Sequence, residues 1–204
     1  LFKHLIFFIT IINSTYLYST TYESNVINGN WSDASSWNPS GVPDEDDVVT
    51  IKGTHTINIQ SGITVRFKDL TIETNGTLNL VSGSIPRFWA ASSSNRLCSL
   101  NHSGNITGTA EIIVDSKTTF SGNGTFASGI TFRLTNLSTF SNANFSFPNT
   151  VFIEGGADLK VENTSIIEFE EFYSKHPSSF LQNYGHVVFN SSNIFDNHSE
   201  SNFS

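Results

Sequence analysis

The chain has 204 residues, 14% of them charged, and a formal net charge of −8. Its Lys and Arg residues are scattered singly, so it lacks the basic stripe expected of a protein that binds nucleic acid or an anionic membrane. Cys98 is the only cysteine, which excludes an intrachain disulfide and leaves burial and backbone hydrogen bonds to stabilise the fold.

Residues 1–21 have the layout of a secretory signal peptide. Lys3 and His4 precede an apolar run at 5–12, and small polar residues follow. This run is too short to span a bilayer of about 30 Å, and the alternative for it is a buried first strand. No later stretch of sequence reaches the length of a membrane helix. We therefore expect a secreted or cell-surface protein with no membrane span after the signal peptide.

Two tryptophans mark residues 22–60, which we expect to form a cap and the first strands. Trp31 and Trp37 precede a Gly-Val-Pro turn at 41–43, and an acidic run and alternating β-branched residues come next. The first coil of a stacked structure has an open sheet edge, which large indole rings can cover. We expect both tryptophans to serve as a cap, with binding by stacking on a sugar ring as the alternative.

The acidic run Asp44-Glu45-Asp46-Asp47 allows two interpretations. Carboxylates at a turn accept hydrogen bonds from backbone N–H groups where a strand begins. Clustered carboxylates also suit Ca²⁺, although this run lacks the Gly-spaced ligands of a calcium loop. We expect turn capping and no cofactor, with a Ca²⁺ site formed by Asp44, Asp46 and Asp47 as the alternative.

This segment resembles the N-terminal motif of G8-type domains and related extracellular, pectin-lyase-like parallel β-helix proteins. The shared features are a Trp-Ser-Asp turn at 31–33, a second tryptophan, the turn with Pro43, and the acidic pair at 46–47 before the strands. The resemblance implies a right-handed β-solenoid that is secreted or displayed outside the cell and is capped at this end.

Residues 61–204 carry short alternating runs of apolar residues separated by Gly, Asn and Ser clusters. Thr118-Thr119-Phe120 recurs twenty residues later as Ser138-Thr139-Phe140. The same offset relates four apolar residues, Ile112, Phe132, Phe152 and Phe172. A period in the low twenties predicts an all-β fold, a parallel β-helix whose inward side chains stack from coil to coil. A β-sandwich is the alternative.

The two ends of the sequence suggest a longer natural protein. The chain contains no Met, and strand-like alternation at 187–189 and 194–195 continues almost to Ser204 without a capping pattern. Because solenoids need terminal caps, we expect further coils beyond the last residue.

Neutral polar residues favour a binding function. A solenoid presents long faces, and amide and hydroxyl side chains on them suit carbohydrate or another protein. One run of such side chains comprises Asn136, Ser138, Ser141, Asn142 and Asn144. We expect extracellular binding or adhesion, with a carbohydrate or a matrix protein as the partner.

The alternative function is a polysaccharide lyase, a glycoside hydrolase, or the non-catalytic N-terminal part of one. Glycoside hydrolysis needs two carboxyl groups about 5–10 Å apart, and Glu168, Glu170 and Glu171 are the best local candidates. Their alternation with apolar residues fits the solvated side of a strand equally well. Cys98 and His102 are too little to predict a nucleophile. We assign no catalytic residue.

The chain is rich in acceptor triplets for N-glycosylation, Asn-x-Ser/Thr. Glycans at these positions would solubilise a surface that has few charges. The alternative is that a composition rich in Asn, Ser and Thr produces the triplets by chance. After the signal peptide they begin at Asn30, Asn75, Asn101, Asn105, Asn123, Asn136, Asn144, Asn163, Asn190, Asn197 and Asn202.

Overall fold

A computed structural model describes residues 19–89, 97–154, 157–174 and 180–190. The predicted signal peptide, Asn197 and Asn202 lie outside these residues. The described part is almost entirely β-structure, with a single short 3-10 turn at Ala34–Ser36. The strands are β1 (Thr21–Ser24), β2 (Asn28–Asn30), β3 (Trp37–Asn38), β4 (Val48–Ile51), β5 (Thr56–Ile59), β6 (Thr64–Phe67), β7 (Asp69–Ile72), β8 (Thr77–Leu80), β9 (Ile85–Phe88), β10 (Cys98–His102), β11 (Asn105–Gly108), β12 (Ala110–Val114), β13 (Thr118–Gly122), β14 (Thr125–Phe126), β15 (Ile130–Leu134), β16 (Ser138–Ile153), β17 (Asp158–Val161), β18 (Ile166–Ser174), β19 (Phe180–Asn183) and β20 (His186–Phe189).

These strands stack as a parallel β-solenoid of about six turns, and each full turn contributes one strand to each of three faces. Face A contains β1, β4, β7, β10, β13, the start of β16, β17 and β19. Face B contains β2, β5, β8, β11 and β14. Face C contains β6, β9, β12, β15 and the end of β16, which pairs with β18. Apart from the antiparallel pair of β1 and β3, the described strands pair in parallel, so the sandwich alternative is wrong.

The strand register confirms the predicted period. Val49 pairs with Leu70, 21 residues on, and Phe120 pairs with Phe140, 20 residues on. Rings in register stack directly, as in Phe120 and Phe140, whose centroids lie 4.9 Å apart. Burying one such side chain contributes about 1.5–3 kcal/mol. The inward column of side chains is therefore the continuous core that the sequence period requires.

The predicted offset fails at one coil of face C. Ile112 pairs with Phe132 as expected, but Phe132 pairs with Val151, only 19 residues on. Side chains alternate between the two sides of a strand, so this one-residue difference places Val151 in the core and Phe152 outside it. Phe152 instead stacks on Tyr173 on the outer side of face C, with the ring centroids 5.6 Å apart.

The first coil has its outer edge covered. Strand β3 pairs antiparallel with β1, which pairs parallel with β4 on its other side. Trp37 in β3 is buried, and its indole packs edge-on against Trp31 at 4.9 Å between centroids. An exposed parallel edge would present unpaired N–H and C=O groups to other chains. The short antiparallel strand and the tryptophan pair occupy this end of the solenoid. Among the described residues, no helix has the length and hydrophobicity needed to cross a membrane.

Candidate binding face

Face B differs from the other faces because its five strands contain no charged residue. Their sequences are NGN, TINI, TLNL, NITG and TF. In the four-residue strands the apolar side chains point into the core, and Asn or Thr points outward. In a chain with a net charge of −8, this is a neutral polar surface built by plain strand alternation.

The outward side chains of face B form two rows along the solenoid axis. The strand register places them one above another without a break. The first row is Asn28, Thr56, Thr77, Asn105 and Thr125, and the second is Asn30, Asn58, Asn79 and Thr107. We call these nine residues the Asn/Thr face.

Hydrogen bonds between coils fix the amides near the second row. Asn58 Nδ2 donates to Asn28 Oδ1 at 2.9 Å, and Asn79 Nδ2 donates to Asn58 Oδ1 at 2.9 Å. Thr107 Oγ1 then donates to Asn79 Oδ1 at 3.2 Å. In the first row, Thr125 Oγ1 donates to Asn105 Oδ1 at 2.8 Å. Each carbonyl oxygen has two lone pairs, so acceptors remain for a ligand.

Two hydroxyls in the middle of the first row have no partner among the described residues. Within the described part of the chain, Thr56 and Thr77 have no hydrogen-bond partner for their side chains, which are half-buried at the surface. A hydroxyl can both donate and accept. The Asn/Thr face therefore combines oriented amides with hydroxyls available to an external group.

The other two faces carry charged residues, several of which form ion pairs. On face A, Glu23 pairs with Lys52 at 2.6 Å and Lys160 with Glu162 at 3.1 Å. On face C, Arg133 bridges Glu111 and Glu154, with both N–O distances 2.7 Å. The hydrogen bond to Glu111 is the main cause of the raised pKa of the Arg133 guanidinium. Arg133 is therefore engaged by carboxylates of its own chain.

Trp31 and Trp37 do not reach the surface. Their side chains are 2% and 1% exposed, and the Trp37 indole N–H donates to the Trp31 carbonyl oxygen at 2.9 Å. Stacking on a sugar needs an open ring face, which neither indole has. Their burial contradicts the binding role considered for them and agrees with the capping role.

The acidic run is occupied by backbone groups. Asp47 Oδ1 accepts from Thr20 N at 2.7 Å, and Asp47 Oδ2 accepts from Asp44 N at 2.8 Å. Asp44 Oδ1 accepts from Asp46 N at 3.0 Å. In the described ranges, no group of three or more His, Cys, Asp or Glu residues is arranged to hold a metal ion. The hydrogen bonds of Asp44 and Asp47 fit turn capping.

The neutral run expected from residues 136–144 does not form one continuous surface. Ser138 is fully buried, Asn136 Nδ2 donates to the Asp115 carbonyl oxygen, and Ser141 donates to Glu162. Only Asn142 and Asn144 of this run are exposed. Strand β16 continues through all three sides of its coil, so the residues point in different directions. The Asn/Thr face lies elsewhere.

In the part of the chain that is described, the side chains considered for catalysis do not converge on one site. Glu171 accepts from Thr150 Oγ1 at 2.6 Å, and Glu170 is exposed. Cys98 is buried, and burial raises the pKa of its thiol to about 11, which keeps it protonated and unreactive. His102 is fully buried against phenylalanine rings.

The acceptor asparagines that are described fall into two groups. Asn105 and Asn136 are half-buried, and their side chains make hydrogen bonds within the protein. The remaining ones are exposed, namely Asn30, Asn75, Asn101, Asn123, Asn144, Asn163 and Asn190.

Comparisons with protein-family models, with curated proteins and with solved structures find no match to this chain.

Proposed function

We propose that this protein acts outside the cell as a binding or adhesion protein, and that the Asn/Thr face contacts a neutral carbohydrate. The observation that carries the proposal is the uncharged, registered array of amide and hydroxyl groups on face B. Extracellular location is supported by the signal-like residues 1–21 and the exposed glycosylation triplets. The G8-like motif at 30–51 supports the same setting.

The chemistry of the Asn/Thr face fits a hydroxyl-rich, uncharged ligand. An anionic ligand would need the Lys and Arg side chains that the five strands of face B lack. Each new hydrogen bond to such a ligand contributes about 0.5–1.5 kcal/mol net, because water is displaced from both partners. Binding strength must therefore come from many contacts made together.

A retention assay on polysaccharides tests the proposal. The purified chain is produced without glycans, because Thr77 belongs to the Asn75 acceptor triplet and its substitution would otherwise also remove a glycan. It is incubated with neutral polysaccharides, acidic polysaccharides and matrix proteins, and both bound protein and new chain ends are measured. We expect retention on neutral polymers and no cleavage. Thr77→Lys, in the middle of the Asn/Thr face, should abolish retention because it buries an unpaired charge against the ligand.

Thr71→Lys is the matched control. Thr71 is a half-buried, outward residue of β7 in the same coil, but it lies on face A. We expect it to bind as the wild type does. Equal loss in both variants would contradict a role for face B. New chain ends would instead support the lyase or hydrolase alternative, and retention on a matrix protein alone would replace carbohydrate as the partner.

A further inference from the structure

The Asn/Thr face has a fixed two-dimensional spacing. Neighbouring parallel strands lie about 4.8 Å apart, and outward residues two positions apart along a strand are separated by about 6.6 Å. Face B keeps this spacing over five strands without a register shift. The hydrogen bonds from Asn58 to Asn28 and from Asn79 to Asn58 hold the amides in one orientation along the axis.

We propose that this face recognises the ordered surface of a packed, neutral polysaccharide rather than a single sugar or a free chain. This rests on the proposed function and names its ligand class. Asn and Thr side chains are similar in length, so together they form a flat surface on the sheet. A single soluble sugar would cover only a small part of it. A polymer surface that also repeats at regular intervals can contact several coils at once.

An ordered ligand surface would be bound tightly because several coils contact it at the same time. Once one coil is bound to a regular surface, the neighbouring coils are already aligned with it, so each further contact is effectively intramolecular. The ladder of amides reduces the entropy cost further because the side chains are ordered before binding. A disordered polymer of the same composition offers no such alignment.

The absence of charge on the face fits this partner. Thr56 and Thr77 present hydroxyls without a partner in the described part of the chain, and carbonyl oxygens of Asn58 and Asn79 keep lone pairs. These groups complement surface hydroxyls or amides of packed neutral chains. The charged groups of an ionic polymer would find no oppositely charged side chain on the strands of face B.

The test compares one polymer in two states of order. The 204-residue chain is produced without glycans, so that losing the Asn75 triplet in Thr77→Val has no effect of its own. It is titrated onto crystalline cellulose and onto the same cellulose made amorphous by swelling, and likewise onto crystalline and regenerated chitin, with cellohexaose and chitohexaose as soluble probes. We expect at least one crystalline polymer to bind about tenfold or more tighter than its amorphous form and its hexasaccharide. Thr56→Val and Thr77→Val together should remove this preference.

The control variant is Thr71→Val on face A, whose hydroxyl is also without a partner in the described residues. It should keep the wild-type preference, and thermal unfolding should show that both the double variant and the control are folded. Equal binding to crystalline, amorphous and soluble forms would overturn the inference while leaving carbohydrate binding by the face intact. Binding to none of them would overturn both this inference and its premise for these polymers.

Discussion

The indole N–H of Trp37 donates to the carbonyl oxygen of Trp31 at 2.9 Å, and the two rings pack edge-on. Trp31 in turn packs against Phe67 at 5.2 Å between centroids. The pair thus joins the first coil to the aromatic column of the next. A buried carbonyl that loses its donor is costly, so the bond should contribute to stability beyond the area that the rings bury.

Trp37→Phe keeps an aromatic ring but removes this donor. We expect the free energy of unfolding to fall by about 1–3 kcal/mol, because the Trp31 carbonyl is left buried without that bond. Trp37→Ala should cost about 3–5 kcal/mol through the added cavity. Urea denaturation measures both. Trp89→Phe is the control, since Trp89 is half-buried on face C; an equal loss there would contradict a special role for the bond.

His102 predicts a specific acid sensitivity. Its ring lies between Phe126 and Phe145, and Nε2 contacts the Thr125 carbonyl oxygen at 3.0 Å. The carbonyl can only accept, so Nε2 carries the proton of the neutral ring. Nδ1 has no partner in the described structure. Burial lowers the pKa of His102 from 6.5 to about 4.

The sign of the effect follows from proton binding. Between about pH 6.5 and pH 4 the unfolded chain takes up a proton at this residue and the folded chain does not, so stability falls as the pH falls. The total loss is about 3 kcal/mol. We expect His102→Leu to have a flatter stability profile between pH 7 and pH 4 in denaturant titrations. An unchanged slope would show that other groups cause the acid sensitivity.

Substitutions at two glycines with positive φ distinguish the energetic cost of backbone strain from the cost of a close contact between coils. A Cβ on Gly108 (φ +96°) would lie against the Leu80 carbonyl oxygen of the preceding coil, whereas a Cβ on Gly62 (φ +76°) would meet nothing within 4 Å. Gly62→Ala should cost about 1–2 kcal/mol from the left-handed conformation alone. Gly108→Ala should cost clearly more because the two coils must separate. Melting temperatures measure the difference, and equal shifts would contradict this explanation.

The carboxylate of Asp47 links Thr20 N and Asp44 N. Asp47→Asn keeps only one acceptor oxygen, so we expect a loss of about 1.5–3 kcal/mol. The loss should be the same in Ca²⁺ and in chelator, because the carboxylate acts on backbone groups. If Ca²⁺ raised the melting temperature of the wild type and not of the variant, the metal hypothesis would be restored.

The period could be predicted because stacking demands it. Residues that lie above one another in the core must all be apolar, and Phe120 and Phe140 reveal this at a separation of 20 residues. The same argument wrongly predicted Phe152 to lie in the core. One coil is shorter by a single residue, which moves the Phe152 side chain to the opposite side of the strand. A sequence pattern with a tolerance of one residue cannot determine which side a given residue takes.

The binding face was harder to predict for a related reason. Alternation shows that Asn58 and Asn79 point outward, but it does not show that they share a face with Thr107. The 28-residue step from Asn79 to Thr107 includes the longer connection between β9 and β10. The repeated Thr-x-Asn of β5 and β8, 21 residues apart, was the available signal.

Glycosylation provides a further constraint on the proposed face. Asn75, Asn123 and Asn163 are exposed in turns that lead from face A to the next strand of their coils. Glycans there would project from one corner of the solenoid. Two acceptors lie within the Asn/Thr face, the exposed Asn30 and the half-buried Asn105, which is bonded to Thr125. A glycan at either would cover the rows that are proposed to contact the ligand.

We therefore expect glycans at Asn75, Asn123 and Asn163, and unmodified Asn30 and Asn105, when the chain passes through a eukaryotic secretory pathway. Glycopeptide mass spectrometry of the secreted protein measures each site separately. Asn105→Gln removes that acceptor as a matched control and should leave the glycans at the corner unchanged. High occupancy at Asn105 in protein that still binds its polysaccharide would show that the ligand contacts a different surface, because a branched glycan and a packed polymer cannot both cover the centre of face B.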